Sequence, residues 1–340
     1  MRAIEEGLCS VVVATRDEGA MLGATVASVL GESEYPSIEV VVVDDGSTDG
    51  SCEGLARDER VRVLRGRALG IPTARNLGAA HARGEYLVFL DAHCRVSPGW
   101  LDALIAVLAA PDVAIAAPGI TSLGVPDRTG CGMTWVSPLL ETAWIESDAG
   151  DRATPVPFAP GGCQAYRART FDRVGRFDDG MTMWGFEDIE ISLRAWLLGY
   201  RVVGAPSATV VHQFREQRDF EVPDIGVLFN YLRLVHLHFA PWRVEQAIAA
   251  LGSYPSLDRA LWRLAASDVL ELRAELEAVR VRDDDWFFAS FMPHLAQGAA
   301  ATSRRAGVGG RLASPHEALR PDPGRRIRRP RTGVDVVLLH

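Results

Sequence analysis

The sequence predicts an α/β fold, a mostly parallel sheet flanked by helices, with a helical appendage at its C-terminal side. Three observations lead there. Short β-branched runs alternate with amphipathic stretches over the first hundred residues, as in strand–helix–strand units. Ile38 to Val43 is β-branched apart from Glu39, as suits a strand buried on both faces. The acidic clusters Asp44-Asp45 and Asp91-x-His93 both fall at strand carboxyl ends, where such sheets bind ligands. At 340 residues, 48% hydrophobic and 24% charged, the chain can bury a full core.

Taken in order, Ser10 to Ala14 reads as the first strand. Met21 to Leu30 reads as a helix by the spacing of Met21, Leu22, Val26, Val29 and Leu30. After Ile38 to Val43, Asp45, Gly46, Ser47 and Thr48 break the second strand. Val61 to Leu64 is the third, and Pro72 opens a helix to about Ala82. Tyr86 to Leu90 is the fourth strand. From Val113 to Pro160 the signals blur. A second ordered block follows from Gly161 to Phe214, with a helix over Asp188 to Leu198 burying Ile189, Leu193 and Trp196. Val202 to His212 reads as two short extended segments around Pro206, and Ser256 to Arg280 as strongly helical. The expected units are 1–245, a helical appendage over 246–297 that could pair copies of the chain, and a disordered Arg/Gly/Pro-rich tail over 298–340.

Composition excludes several classes. All 36 basic residues are arginine, so a P-loop NTPase, a protein kinase and a Schiff-base enzyme, which each need a lysine, are ruled out. The five cysteines form no C-x-x-C pair and read as reduced packing residues, Cys94 being the one placed to react. No apolar window is long enough for a membrane span, and Glu5-Glu6 does not suit a signal peptide, so a cytoplasmic protein is expected. Nine arginines from Arg304 to Arg331 face only Glu317 and Asp322, a local +7 that leaves −15 on the rest of a −8 chain. No aromatic residue is interleaved with them, so nucleic acid is not the expected partner.

Three clusters carry the chemistry. Asp44 and Asp45 at a strand end can accept from a ribose or a uracil N–H, although the same run also suits a helix N-cap. The first strand lacks G-x-G-x-x-G, which argues against a dinucleotide fold. Asp91 and His93 can turn toward one cation, and an oxygen with a nitrogen donor suits Mn²⁺ better than Mg²⁺. His212 is available as third ligand, though a lone histidine is more often a core residue. Glu187, Asp188 and Glu190 cluster at a helix start, where the macrodipole favours acids and Glu190 can pair with Arg194. The alternative reading makes Asp188 a general base, with Trp184 walling a sugar pocket.

These motifs resemble glycosyltransferase family 2 and its GT-A fold, and most of all the catalytic domain of the polypeptide N-acetylgalactosaminyltransferases. Those enzymes carry similar forms of Asp91-x-His93, Gly99-Trp100, Gly161-Gly162, Trp184 to Glu187, and His212 to Arg215, in this order. The resemblance runs from about residue 8 to 245. It implies Asp44 on the uridine and Arg75 close to the nucleotide, with Asp45 beside Asp44 as a further donor-binding candidate. Asp91, His93 and His212 would hold Mn²⁺ (or Mg²⁺) against the diphosphate of a UDP-sugar. Gly161, Gly162, Trp184, Glu187 and Asp188 would meet the sugar and the reacting centre, under a lid from Phe214 to about Asn230 that includes Phe220 and Pro223. It also implies a peptide or protein acceptor. A glycan, lipid or small-molecule acceptor, or a non-catalytic nucleotide-sugar-binding role, is the alternative. The eukaryotic enzymes add a membrane anchor and a lectin domain, neither of which is read here. They usually have Asn where this chain has Asp188; that carboxylate leaves the stereochemistry open and favours inversion.

Overall fold

The computed structural model describes residues 4–123, 125–146, 152–214, 224–252, 254–296 and 337–338. The elements in chain order are β1 (Glu5–Thr15), α1 (Ala20–Glu32), β2 (Ile38–Asp44), β3 (Val61–Arg65), α2 (Ile71–His81), β4 (Gly84–Leu90), β5 (Cys94–Val96) and α3 (Trp100–Leu108). Then follow β6 (Val113–Ser122), β7 (Val125–Trp135), β8 (Thr142–Glu146), β9 (Thr154–Pro155), β10 (Cys163–Arg167), α4 (Ala168–Val174), α5 (Glu187–Leu197) and β11 (Arg201–His212). The C-terminal part holds α6 (Asp224–His238), α7 (Pro241–Leu251), α8 (Leu257–Ala265), α9 (Val269–Val279), α10 (Asp284–Phe291) and β12 (Val337–Leu338).

One sheet runs β12-β3-β2-β1-β4-β10-β6-β11-β5. The parallel order expected from the sequence holds across β3-β2-β1-β4 and again between β6 and β11. β10 runs antiparallel between β4 and β6, so the sheet is mixed beyond β4. Strand alternation sorts the core into two layers. Val12, Val41, Val43, Leu87 and Phe89 point into one cluster with α2, while Val11, Val13, Val40, Val42 and Val88 join the other with α1 and α3. Glu39, the acid inside β2, is buried but satisfied: its carboxylate accepts from Ser10 Oγ at 2.6 Å, Arg83 N at 2.7 Å and Arg62 at 2.9 Å.

The structure corrects several expectations. The blurred stretch contains the ten-residue strand β6, whose Ala114, Ala116, Ala117 and Gly119 have weak strand propensity and are ordered by burial between β10 and β11. The two segments around Pro206 are one strand, β11, which absorbs the missing N–H through a register shift between Ala205 and Thr209. The expected lid is helical from Asp224 onward; Phe220 and Pro223 lie outside the described residues. The helix expected over 256–280 is two, α8 and α9, and Asp268 at the break accepts from Arg233 of α6 at 2.8 Å. Both helices contribute to the same hydrophobic cluster as α2 and β4. The tail over 298–340 lies outside the described residues except for Val337–Leu338, which pair antiparallel with β3. No helix among the described residues is long and apolar enough to cross a membrane.

Gly78 sets how closely α2 seats on the sheet, because a Cβ there would lie 2.3 Å from Val12 Cγ1 and 3.0 Å from Val43 Cγ2. Gly78→Ala should lower stability by about 1–3 kcal/mol through overpacking, reduced by about 1 kcal/mol of helix propensity. Chemical denaturation reads the difference, and a variant as stable as wild type would show that α2 can shift without cost.

Candidate active site

The ends of β1, β4 and β11, the segment before β10 and the start of α5 surround a cavity of about 680 Å³. Its position at the carboxyl edge of the parallel strands follows from the sheet order, since each such strand turns there toward its crossover. Asp91 leaves β4, His93 sits two residues on, and His212 ends β11, which pairs with β5 through His212 and Cys94. That pairing closes the gap of more than a hundred residues between the two histidines. One ligand atom from each of Asp91, His93 and His212 lies within 4.8 Å of the others. The imidazoles of His93 and His212 stand edge to face at 4.6 Å.

The surroundings of these groups suit a cation. Glu18 Oε1 lies 3.2 Å from His93 Nδ1, which favours a proton there and leaves Nε2 as the ligand atom. His212 Nε2 lies 3.4 Å from Asp91 Oδ2, while His212 Nδ1 is buried without a hydrogen-bond partner among the described residues. Burial works against charge on Asp91, but the His212 hydrogen bond and the Arg75 charge hold its carboxyl well below the usual range. One carboxylate and two imidazoles offer an oxygen and two nitrogens, a donor set that suits a first-row divalent cation such as Mn²⁺ and suits Mg²⁺ less.

Arg75 joins this floor to the carboxylates of α5. Its side chain is only 4% exposed; it donates to Asp91 Oδ1 at 2.9 Å, to the Gly161 carbonyl at 2.7 Å and to Glu187 Oε1 at 3.3 Å. Glu187 Oε2 accepts from Gly185 N at 2.9 Å. Burial first, and then the charge of Asp188, push the Glu187 carboxyl up to about 7 against the pull of Arg75. Asp188 is also raised, chiefly by burial, although Gly161 N at 2.7 Å and Ile189 N at 2.9 Å donate to its two oxygens. Both acids line the cavity, and Trp184, 37% exposed, forms part of the wall. Gly161 and Gly162 leave little room for a side chain: a Cβ would lie 2.9 Å from Asp188 Oδ2 in the first case and 3.1 Å from His212 Cδ2 in the second.

Other sequence expectations separate. Glu190 faces away from the cavity into the core, where Arg194 and His238 are bound to its carboxylate. Asp45 lines the cavity and accepts from Leu69 N at 2.6 Å and Gly70 N at 3.0 Å. Asp44 is not among the described lining residues; its carboxylate accepts from Ser47 N at 2.8 Å and faces Arg65. Cys94 is fully buried, and burial raises its thiol well above the ordinary value, which corrects the reactive reading. Sequence reasoning missed Glu18, whose only signal is its position just past β1, and Asn230, which lies inside an almost wholly apolar helix.

Residues 10–175 match the family model described as glycosyl transferase family 2. The chain is 27% identical over 318 residues to polypeptide N-acetylgalactosaminyltransferase 11 of Xenopus tropicalis, covering 85% of this chain and 51% of that one. It is 34% identical to polypeptide N-acetylgalactosaminyltransferase 12 of Mus musculus, over 62% of this chain and 40% of that one. It is also 31% identical to a Macaca fascicularis relative named as an inactive polypeptide N-acetylgalactosaminyltransferase-like protein, over 67% of this chain and 56% of that one. The chain thus spans about half the length of the curated relatives it matches. Among solved structures it resembles GalNAc-T7 with UDP, GalNAc and Mn²⁺, with a TM-score of 0.72 and 26% identity, covering 85% of this chain and 57% of that one. The fold is GT-A.

The raised Glu187 carboxyl makes stability depend on pH. As pH rises from its ordinary 4.5 toward about 7, the unfolded chain releases this proton before the folded one does, so folding loses stability through that window. Glu187→Gln removes this residue's share of the slope, while Asp188, also raised, keeps its own. The metal-free stability of wild type relative to the variant should fall by about 2–3 kcal/mol between about pH 5 and about pH 8. Denaturation at the two pH values checks this, and an unchanged difference would contradict the assignment.

Proposed function

We propose that this chain, which carries a glycosyl transferase family 2 domain on a GT-A fold, is a metal-dependent glycosyltransferase that moves a sugar from a UDP-sugar to a peptide or protein side chain. The observation that carries the reading is the meeting, in one cavity, of the Asp91, His93 and His212 cluster with the Glu187 and Asp188 pair. Similarity alone would not suffice, because one relative is named as inactive. The acceptor class is supported by the relatives' names. Residues 1–245 are proposed as the catalytic domain, and 246–297 as a helical region built onto it.

Asp91, His93 and His212 would hold Mn²⁺, with Mg²⁺ as the substitute. When bound, the ion supplies positive charge against the diphosphate as its leaving-group charge grows. Asp44 and Asp45 remain the carboxylates for the nucleoside, Asp45 being the one of the two that lines the cavity. Arg75 also lines the cavity, where it would lie near the nucleotide, and it ties Asp91 to Glu187. The backbone at Gly161 and Gly162 lets the sugar approach closely, and Trp184 offers it an apolar face. Asp188 is the proposed general base. As the acceptor oxygen bonds to the anomeric carbon and the bond to UDP breaks, the acceptor proton passes to Asp188, which gives inversion.

The test is UDP release from a panel of UDP-sugars with a peptide acceptor, with and without Mn²⁺. One donor should turn over in the presence of metal, and Asp91→Ala should lower the rate by roughly 100-fold or more. NMR of the product's anomeric linkage should show inversion; retention would exclude Asp188 as the base of a direct displacement. No release from any donor, with no stabilisation by UDP and Mn²⁺, would make this a non-catalytic relative.

A further inference from the structure

The turn that carries Trp184 and leads into Glu187 is strained. Met183 has φ 53°, Gly185 φ 101° and Phe186 φ 69°, so two side-chain-bearing residues occupy the left-handed region within four positions. Such a turn persists only where its surroundings over-determine it. Part of the support comes from α2: the Met183 carbonyl accepts from Ile71 N at 2.8 Å, and a Cβ on Gly70 would lie 2.8 Å from Met183 N. Glu187 Oε2 adds an acceptor for Gly185 N at 2.9 Å, and one side chain of α6 adds more. Asn230, fully buried, donates through Nδ2 to the carbonyls of Thr182 at 2.8 Å, Gly185 at 2.9 Å and Trp184 at 3.3 Å. Its Oδ1 accepts from Thr182 N at 2.8 Å. A primary amide has two N–H donors, one of them shared between two of these three carbonyls, and an acceptor; no apolar residue in its place could satisfy these backbone groups. One turn further on, the buried Arg233 binds both oxygens of Asp178, at 2.6 and 3.0 Å, which anchors α6 to the segment leading into the same turn.

We infer that Asn230 is a positioning residue for transfer: it fixes the strained turn so that Trp184 and Glu187 present one geometry to the sugar, while taking no part in holding UDP or metal. The inference rests on the proposed glycosyl transfer. It separates the sugar-facing turn, pinned by α6, from the floor of Asp91, His93 and His212, which β4, β5 and β11 position. Loss of the pin should therefore lower turnover and leave nucleotide affinity intact.

Two variants test it in the full chain. Asn230→Asp keeps size and an acceptor oxygen but removes the N–H donors. Gly185→Ala strains the backbone turn, where φ is +101°, without touching Asn230: its Cβ would meet nothing nearer than Val227 at 3.7 Å, although Gly185 itself lines the cavity. Each should lower kcat for UDP release roughly 10- to 100-fold, with the Kd for UDP in Mn²⁺ held within about twofold of wild type. Either variant keeping wild-type kcat overturns the inference, as does UDP affinity falling in step with turnover. If Asn230→Asp does not fold, Gly185→Ala decides alone, because it leaves the core of α6 untouched. Absence of turnover in wild type would instead sink the glycosyltransferase reading, and is seen before any variant is compared.

Discussion

The site depends on a single buried guanidinium. Arg75 reaches three separate parts of the chain: the carboxylate at the end of β4, the carbonyl of the segment before β10, and the first acid of α5. A buried cation of this kind is tolerable only with its charges and hydrogen bonds matched, and removing one partner leaves the others uncompensated. Asp91 is kept ionised partly by this contact, and Glu187 is prevented from rising further. The metal floor and Glu187 are thus linked through one cation, although Asp91 and Glu187 lie almost a hundred residues apart in sequence.

The rest of the architecture holds this linkage still. α2 presents Arg75 because Gly78 lets the helix sit directly on Val12 and Val43. The carboxyl edge of β4 is fixed on one side by β1 and on the other by β10. α6 fixes the opposite wall through Asn230 and Arg233, two of the buried polar residues on a helix whose other side chains largely join the hydrophobic core. Buried polar contacts of this sort add little net stability but discriminate strongly between one packing and another.

Much of this was legible in the sequence. Valine runs and strand-end acids revealed the first four strands, and spaced motifs identified Asp91, His93, His212, Glu187 and Asp188 before any geometry was known. The illegible parts have physical causes. β6 is an Ala/Gly-rich strand whose order comes from its neighbours, so no local propensity announces it. α6 has no polar face to set a period, and Asn230 inside it looks like a breaker until the carbonyls it serves are seen. Adjacent acids cannot be assigned directions from spacing alone: Asp44 and Asp45 diverge, as do Asp188 and Glu190, because neighbouring positions face different ways.

The central claim is that Asp91, His93 and His212 form a manganese site in the donor cavity. Anomalous scattering at the manganese edge, from crystals of the full chain grown with UDP and Mn²⁺, tests it most directly. The account predicts one strong peak bounded by Asp91, His93 and His212, with UDP density beside it. A peak elsewhere, or ordered UDP with no manganese against these three residues, would contradict it.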